Sequence, residues 1–415
     1  MEAYVGIDWD RKKAVAAVSH HTGITKRIAK PIAPTKAAVN AFLQRVKRWN
    51  PEADSIRVAI EAGHPRWARI FHSLGAIVHI IDAKQARRFA ESLSSSGAKD
   101  DHRDAATLLL IAQSPPHRRA PWCPPDARSA ALLQLVQAHQ QHTKELTRVR
   151  NRLRALLAEH WPALDEVVTT LSVRWFQTLL RALPTPRQAQ ALRRSAYEEL
   201  VRGSGMHAST RERVWTALKA TEVLLEPAES ESLELIIELL VEQLSSGQAR
   251  LSRLEASMDA RMKEMPSAVV LRSVSGIGLK LGAGLLSLCF SGRISGGRDS
   301  ASIRLGASPV SRHSGQMKKA HVHLRRSSGP LQQRLSYLLG LQATQRLSWA
   351  RAMYMAGRKR GQSAGTAFRR VSRSLLRILT AMLRDGEVYD EARYIRALKD
   401  KGVPWAEDLK IPDAA

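Results

Sequence analysis

"VGIDWD", residues 5–10, sets two carboxylates at the end of an apolar run near the start of a strongly basic chain. Read as a strand, with side chains alternating at period two, it turns Val5, Ile7 and Trp9 to one face and Gly6, Asp8 and Asp10 to the other. The first face suits a core. The second has a glycine for room and carboxylates for charge, which suits a ligand site.

The surrounding pattern supports the strand. Residues 3–9, 13–19 and 24–30 read as three short strands, with "HHTG" turning the chain between the second and third. Helical spacing follows at 35–48, then a strand "RVAIE" (57–61), a helix at 65–74, a strand "AIVHIID" (76–82), and helices at 83–95 and 101–113. Three strands followed by alternating helix and strand predict a mixed sheet covered by helices, an order that suits a ribonuclease H-like domain.

Two more acidic positions fall in this region. Glu61 ends an apolar strand just before Gly63, where a carboxylate is well placed for a site. "AKDDHRDAATLLL" (98–110) spaces Asp101 and Asp104 three apart on a helix, so both lie on one face about a turn apart. Taken singly, such acids are most often turn formers or helix N-terminal charges. Together Asp8, Glu61, Asp101 and Asp104 predict an all-oxygen cage for Mg2+ or Mn2+, able to hold two ions ~3.5–4 Å apart as phosphoryl transfer requires. Asp10, Asp54, Asp82 and Asp100 rank below them.

The chain has 415 residues, with 65 Lys and Arg against 38 Asp and Glu, a formal net charge of +27. That excess points to a polyanionic partner, nucleic acid first, because each neutralised phosphate releases counterions. No apolar run approaches the ~20 residues that span a bilayer, and no signal-peptide order is visible, so a cytoplasmic, nucleoid-associated protein without a membrane partner is expected. Two cysteines, Cys123 and Cys289, lack the paired spacing of disulfides or structural zinc.

Proline-rich "QSPPHRRAPWCPPD" (113–126) marks a boundary. Beyond it Leu132, Leu135, His139, His142, Leu146, Val149, Leu153, Leu156 and His160 recur as a heptad seam. A second seam runs through Leu233, Ile237, Leu240, Leu244, Leu251, Leu254 and Met258, with Gly247 at a core position. These stripes could pair inside one chain or join subunits. His139 and His142 read as buried or subunit-contacting rather than metal-binding, and Trp67, Trp161 and Trp349 as core residues.

From Ser300 to Arg384 there is no Asp or Glu, while Lys and Arg number 17. Such a segment repels itself unless a polyanion lies against it. Gly276 and Gly278 in "SVSGIGLKLGAGLLS" (273–287) suit either a helix-hairpin-helix phosphate grip or a plain helix–helix turn. In "VSRHSGQMKKAH" (310–321), Ser314 is flanked by Arg312, His313, Lys318 and Lys319, which would stabilise negative charge on its oxygen or on a phosphate. Composition alone favours a phosphate-contacting turn there. Candidate nucleic-acid contacts are Gly276, Gly278, Arg312, Lys318, Lys319, Arg325 and Arg326, followed by Arg358, Lys359, Arg360, Arg369 and Arg370.

With "AIEAGHPRWARIFHSLGAIVHIIDAKQARRFA", "TRVRNRLRALLAEHWP", "RLGASPVSRHSGQMKKA" and "GRKRGQSAGTAFRRVSRSLLRILTAMLRDGEVYD" added to the motifs above, the chain resembles the DEDD transposases of the insertion-sequence-110 group and their Piv invertase relatives. The resemblance implies a RuvC-like domain whose metal-binding acids are Asp8, Glu61, Asp101 and Asp104. It also implies a C-terminal transposase domain in which Ser314 attacks the scissile phosphodiester to form a phosphoserine link. It further implies donor and target DNA chosen by a structured bridge RNA, and a dimer or tetramer with active sites shared between subunits.

The expected architecture is α/β plus all-α: a RuvC-like ribonuclease H fold at 1–120, coiled-coil helices at 121–265, a helical C-terminal transposase domain at 266–395, and a peripheral tail at 396–415. Two alternatives remain at this level. One is a metal-dependent RuvC-like junction resolvase or nuclease using water; the other is a non-enzymatic nucleic-acid-binding coiled-coil protein.

Overall fold

A computed structural model describes residues 1–19, 25–63, 65–93, 100–114, 121–220, 222–290, 299–312, 321–323 and 328–412. It divides into two compact units, Met1–Pro125 and Asp126–Ala415.

In the first unit β1 (Glu2–Trp9), β2 (Ala14–Ser19) and β3 (Thr25–Ile32) form an antiparallel meander, as the sequence predicts within a residue or two. Then follow α1 (Lys36–Trp49), β4 (Ser55–Glu61), α2 (Pro65–Ser73), β5 (Ile77–Ile81), α3 (Ala83–Leu93) and α4 (Asp101–Gln113). The sheet order is β3-β2-β1-β4-β5, with β4 parallel to both β1 and β5. Parallel neighbours need crossovers, and the intervening helices supply them.

Period-two patterning divides the sheet's faces. Val5, Ile7, Val58 and Ile60 pack against Phe42 and Val46 of α1 and Trp67 and Phe71 of α2. On the other face Val15, Ala17, Ala59 and Ile81 meet Ala105, Leu108 and Leu109 of α4. Gly6 makes that second contact possible: a Cβ there would overlap the backbone of Ala105 and Leu109. The helix therefore rests directly on β1.

The second unit is helical apart from the short pair β6 (Val310–Arg312) and β7 (His321–His323). Its helices begin with α5 (Ala127–His160), the short α6 (Pro162–Val167), α7 (Arg174–Ala182), α8 (Pro186–Ala191), α9 (Arg194–Leu200) and α10 (Ala208–Ala220), and continue with α11 (Pro227–Lys263), α12 (Pro266–Arg272), α13 (Leu279–Leu288) and α14 (Ser300–Arg304). After β7 come α15 (Pro330–Arg346), α16 (Ser348–Lys359), α17 (Ala364–Asp385) and α18 (Glu391–Asp400).

The two seams pair with each other inside the chain, as an antiparallel hairpin of α5 and α11. Arg128 donates to the Glu264 carbonyl at 3.2 Å, His139 meets Glu255 at 2.9 Å, and Leu146 lies on Gly247. Near the turn, Leu153, Leu157, Ile237 and Leu244 share a core with α6 to α10, including Trp161, Phe176 and Tyr197. At the base, Leu132, Val136, Met258 and Met262 share another with the C-terminal helices, including Leu285, Trp349 and Leu375. The boundary expected at 265/266 thus crosses a continuous core. Leu398 and Ala406, assigned by composition to a peripheral tail, are buried in it too.

Candidate active site

Strand register brings the first two acids together. β1 and β4 are parallel, with Gly6 opposite Ala59 and Ile7 opposite Ile60, so the next step sets Asp8 beside Glu61 on the α4 face. Neighbouring strands lie ~4.8 Å apart. The Trp9 indole Nε1 donates to the Glu61 carbonyl at 2.9 Å and ties the two strand ends. Because Ala105 sits over Gly6, the first turn of α4, with Asp101 and Asp104, overhangs the same strand ends. Asp100 starts that turn as its N-cap, accepting from the His102 N–H at 3.3 Å.

The electrostatics follow this geometry. The Asp8 carboxyl is pushed up to about 6, first by burial and then by the charges of Asp104, Asp101 and Glu61, against a lowering hydrogen bond from the Trp9 backbone. The four acids therefore share one field, in which like charges disfavour ionisation. A divalent cation would relieve that repulsion, and an all-carboxylate donor set fits hard Mg2+ or Mn2+ better than zinc. Among the described residues no group of three or more His, Cys, Asp or Glu is drawn tightly enough to hold an ion as it stands. The set is convergent but open.

The lower-ranked acids have other work. An Asp10 carboxylate oxygen accepts from the Lys13 N–H at 2.8 Å in the turn after β1, Asp82 accepts from the Lys84 N–H at 3.0 Å, and Asp54 pairs with the N-terminal ammonium at 3.0 Å. His139 and His142 face Glu255 and Glu145, and Trp67, Trp161 and Trp349 are fully buried.

Ser314, His313, Lys318, Lys319, Arg325 and Arg326 lie outside the described residues, and Arg312 is described only by its backbone in β6. Gly276 turns the chain between α12 and α13 at φ +94°, packed beside Arg346 of α15, and Gly278 is the N-cap of α13. Arg358, Lys359 and Arg360 are exposed at the end of α16; Arg369 and Arg370 are half-buried in α17. Burial, then the Arg360 charge, lowers the pKa of Arg370.

One functional feature escaped the sequence reading. Asp299, one residue before the acid-free stretch, binds Arg373 at 3.0 Å and Arg377 at 2.7 Å, and these guanidiniums hold its carboxyl well below the usual carboxylate range. The spacing of Arg373 and Arg377, four apart on one helix face, was the available signal. Two of the segment's cations are thereby spoken for.

Comparison with known sequences adds the family. The IS110 DEDD transposase family, described as a transposase, matches residues 5–162, a span that contains all four acids. A Streptomyces coelicolor relative named "Mini-circle putative transposase for IS117" is 25% identical over 406 residues, 95% of this chain and 96% of that one. This chain belongs to the IS110 transposase family. Another family relative, "Insertion element IS110 uncharacterized 43.6 kDa protein" from Streptomyces coelicolor, is 27% identical over 322 residues, 76% of this chain and 78% of its own. "Putative transposase y4uE" of Sinorhizobium fredii is 28% identical over 207 residues, 48% of this chain and only 56% of that relative. Among the described residues of this IS110-family transposase, no helix is long and apolar enough to cross a membrane.

Proposed function

We propose that this IS110-family protein is a site-specific DNA recombinase that cleaves and rejoins DNA to excise and insert an insertion sequence. Its first unit acts as a RuvC-like ribonuclease H domain, a reading supported by the strand order β3-β2-β1-β4-β5 with its antiparallel meander and parallel crossovers. The observation that carries the proposal is the single field shared by Asp8, Glu61, Asp101 and Asp104 at the ends of β1, β4 and α4.

Mg2+ or Mn2+ held there would supply charge stabilisation for the attacking and leaving oxygens of phosphoryl transfer. Asp8 is the buried member whose ionisation the cation favours, while Glu61 and the α4 pair flank it from two sides. Trp9 keeps the strand ends in register. Ser314 is the nucleophile: its Oγ–P bond forms, the bond from phosphorus to the leaving sugar oxygen breaks, and that oxygen takes up the proton. A second strand hydroxyl later reverses the exchange and rejoins DNA.

Donor and target DNA are selected by pairing with a bridge RNA, so the protein need only grip backbones. Arg358, Lys359, Arg360, Arg369 and Arg370, with few acids near them, suit that task better than base reading. The turn at Gly276 and Gly278 adds a helix-hairpin-helix contact. The working form is a cytoplasmic, nucleoid-associated homo-oligomer.

The test uses protein with its co-purified RNA, donor and target DNA and Mg2+, resolved on denaturing gels. Wild type is expected to leave DNA covalently attached to protein. Ser314→Ala should bind nucleic acid but form no adduct, and Asp104→Asn should neither cut nor attach. Recombination by Ser314→Ala would remove the serine from the mechanism; cutting without any adduct would favour water as nucleophile.

A further inference from the structure

The α5–α11 hairpin has one face that the chain leaves bare. On α11, Leu233, Ile237, Leu240 and Leu244 are buried, yet Leu235, Ile236 and Leu239 are 57%, 46% and 48% exposed. At about 100° per residue, stepping from the contact of Leu146 with Gly247 puts Val149, Arg152 and Leu156 of α5 on the same side of the hairpin as that exposed trio. The opposite side of α11 is covered, through Ile237 and Val241, by the helices that follow α5.

Charge borders this strip unevenly. Its α11 edge carries exposed Glu231, Glu238 and Glu242, and its α5 edge carries exposed Arg148 and Arg152. Among the described residues Arg152 and Glu242 join no ion pair. The face therefore reads basic edge, apolar strip, acidic edge, a layout complementary to itself.

We propose that this face is where two copies of the chain join. A twofold axis parallel to the helices lays α11 of each copy along α5 of the other, so acidic edges meet basic edges twice and the apolar strips close together. An axis across the helices would instead set acid on acid and base on base. With the first axis, the register fixed by His139 with Glu255 and Leu146 with Gly247 puts Glu242 level with Arg152 of the second copy. The product is a four-helix arrangement in which facing helices run antiparallel, an isologous interface that closes at two copies. It deepens the oligomer proposed above by naming its contact, and it does not depend on the recombination chemistry.

The experiment is sedimentation velocity on the full chain, freed of nucleic acid, over a concentration series at moderate salt. Wild type should dimerise reversibly. The exposed triple variant Leu235→Ser, Ile236→Ser, Leu239→Ser should raise the dissociation constant by about tenfold or more, with circular dichroism and melting temperature unchanged. Glu242→Arg alone and Arg152→Glu alone should each weaken the dimer, and the two together should restore it. A monomeric wild type, a triple variant that dimerises as wild type does, or a double variant that fails to recover would each overturn the proposal. Because no DNA is present, these outcomes are separate from those of the cleavage assay.

Discussion

Replacing Asp8 by Asn should stabilise the metal-free protein above pH 6, the reverse of what loss of a well-satisfied carboxylate would do. In the folded chain this carboxyl titrates at about 6, against 3.8 for the unperturbed group. Below pH ~4 it is neutral folded or unfolded and costs nothing. As pH rises through 6, wild type must place a charge in the field of Asp104, Asp101 and Glu61, so its stability falls across the window from 4 to 6. A shift of about two units corresponds to ~3 kcal/mol by linkage. Because Asp8 is only partly buried, solvent screening reduces this to about 1–2 kcal/mol.

Asparagine does not titrate and escapes that cost. Thermal unfolding in chelator, followed from pH 4 to 8, should show the Asp8→Asn advantage growing from nothing to about 1–2 kcal/mol, a few degrees for a unit of this size. Adding Mg2+ should stabilise wild type by binding to the native state and reverse the order. A difference that stays flat with pH, or a variant less stable at neutral pH in chelator, would mean that the acids do not converge.

Gly6→Ala should lift α4 from β1, costing about 2–3 kcal/mol, and should abolish the raised Asp8 titration as the α4 acids move away; NMR titration of the side-chain carboxyl checks this. Gly247→Ala should displace Leu146 in the hairpin and lower stability by about 1 kcal/mol net, because overpacking outweighs the gain in helix propensity; urea unfolding measures it. Asp299→Asn should free Arg373 and Arg377, steepening the slope of log affinity against log salt for duplex DNA by up to ~2; an unchanged slope would show that these arginines never face nucleic acid. The wild-type ion pairs contribute stability above the ordinary carboxylate range and lose it as pH falls toward the depressed Asp299 value, so the variant's deficit should shrink in acid.

The first unit was legible because period two leaves little freedom: once Val5 and Ile7 face a core, Gly6 and Asp8 must face the other way. The ranking of acids was legible for a related reason, since those at the sheet and helix ends of one face can meet, whereas Asp10, Asp82 and Asp100 serve neighbouring backbone N–H groups. The partner of the seam at Leu132 to His160 was not legible. A heptad stripe specifies that something covers it, and only the docking of Leu146 on Gly247 and His139 on Glu255 identifies that cover as the same chain. Asp299 was missed because charge counts ignore a carboxylate just outside the counted window. Leu398 and Ala406 were misjudged because acids in their neighbourhood say nothing about which apolar residues turn inward.

The most direct measurement is an electron paramagnetic resonance titration of Mn2+ into the full-length protein, comparing wild type with Asp8→Asn, Glu61→Gln and Asp104→Asn. The expected result is saturable Mn2+ binding in wild type that each substitution weakens by at least about tenfold, displaced competitively by Mg2+. Equal Mn2+ binding by wild type and all three variants would contradict the convergence of these acids on a cation.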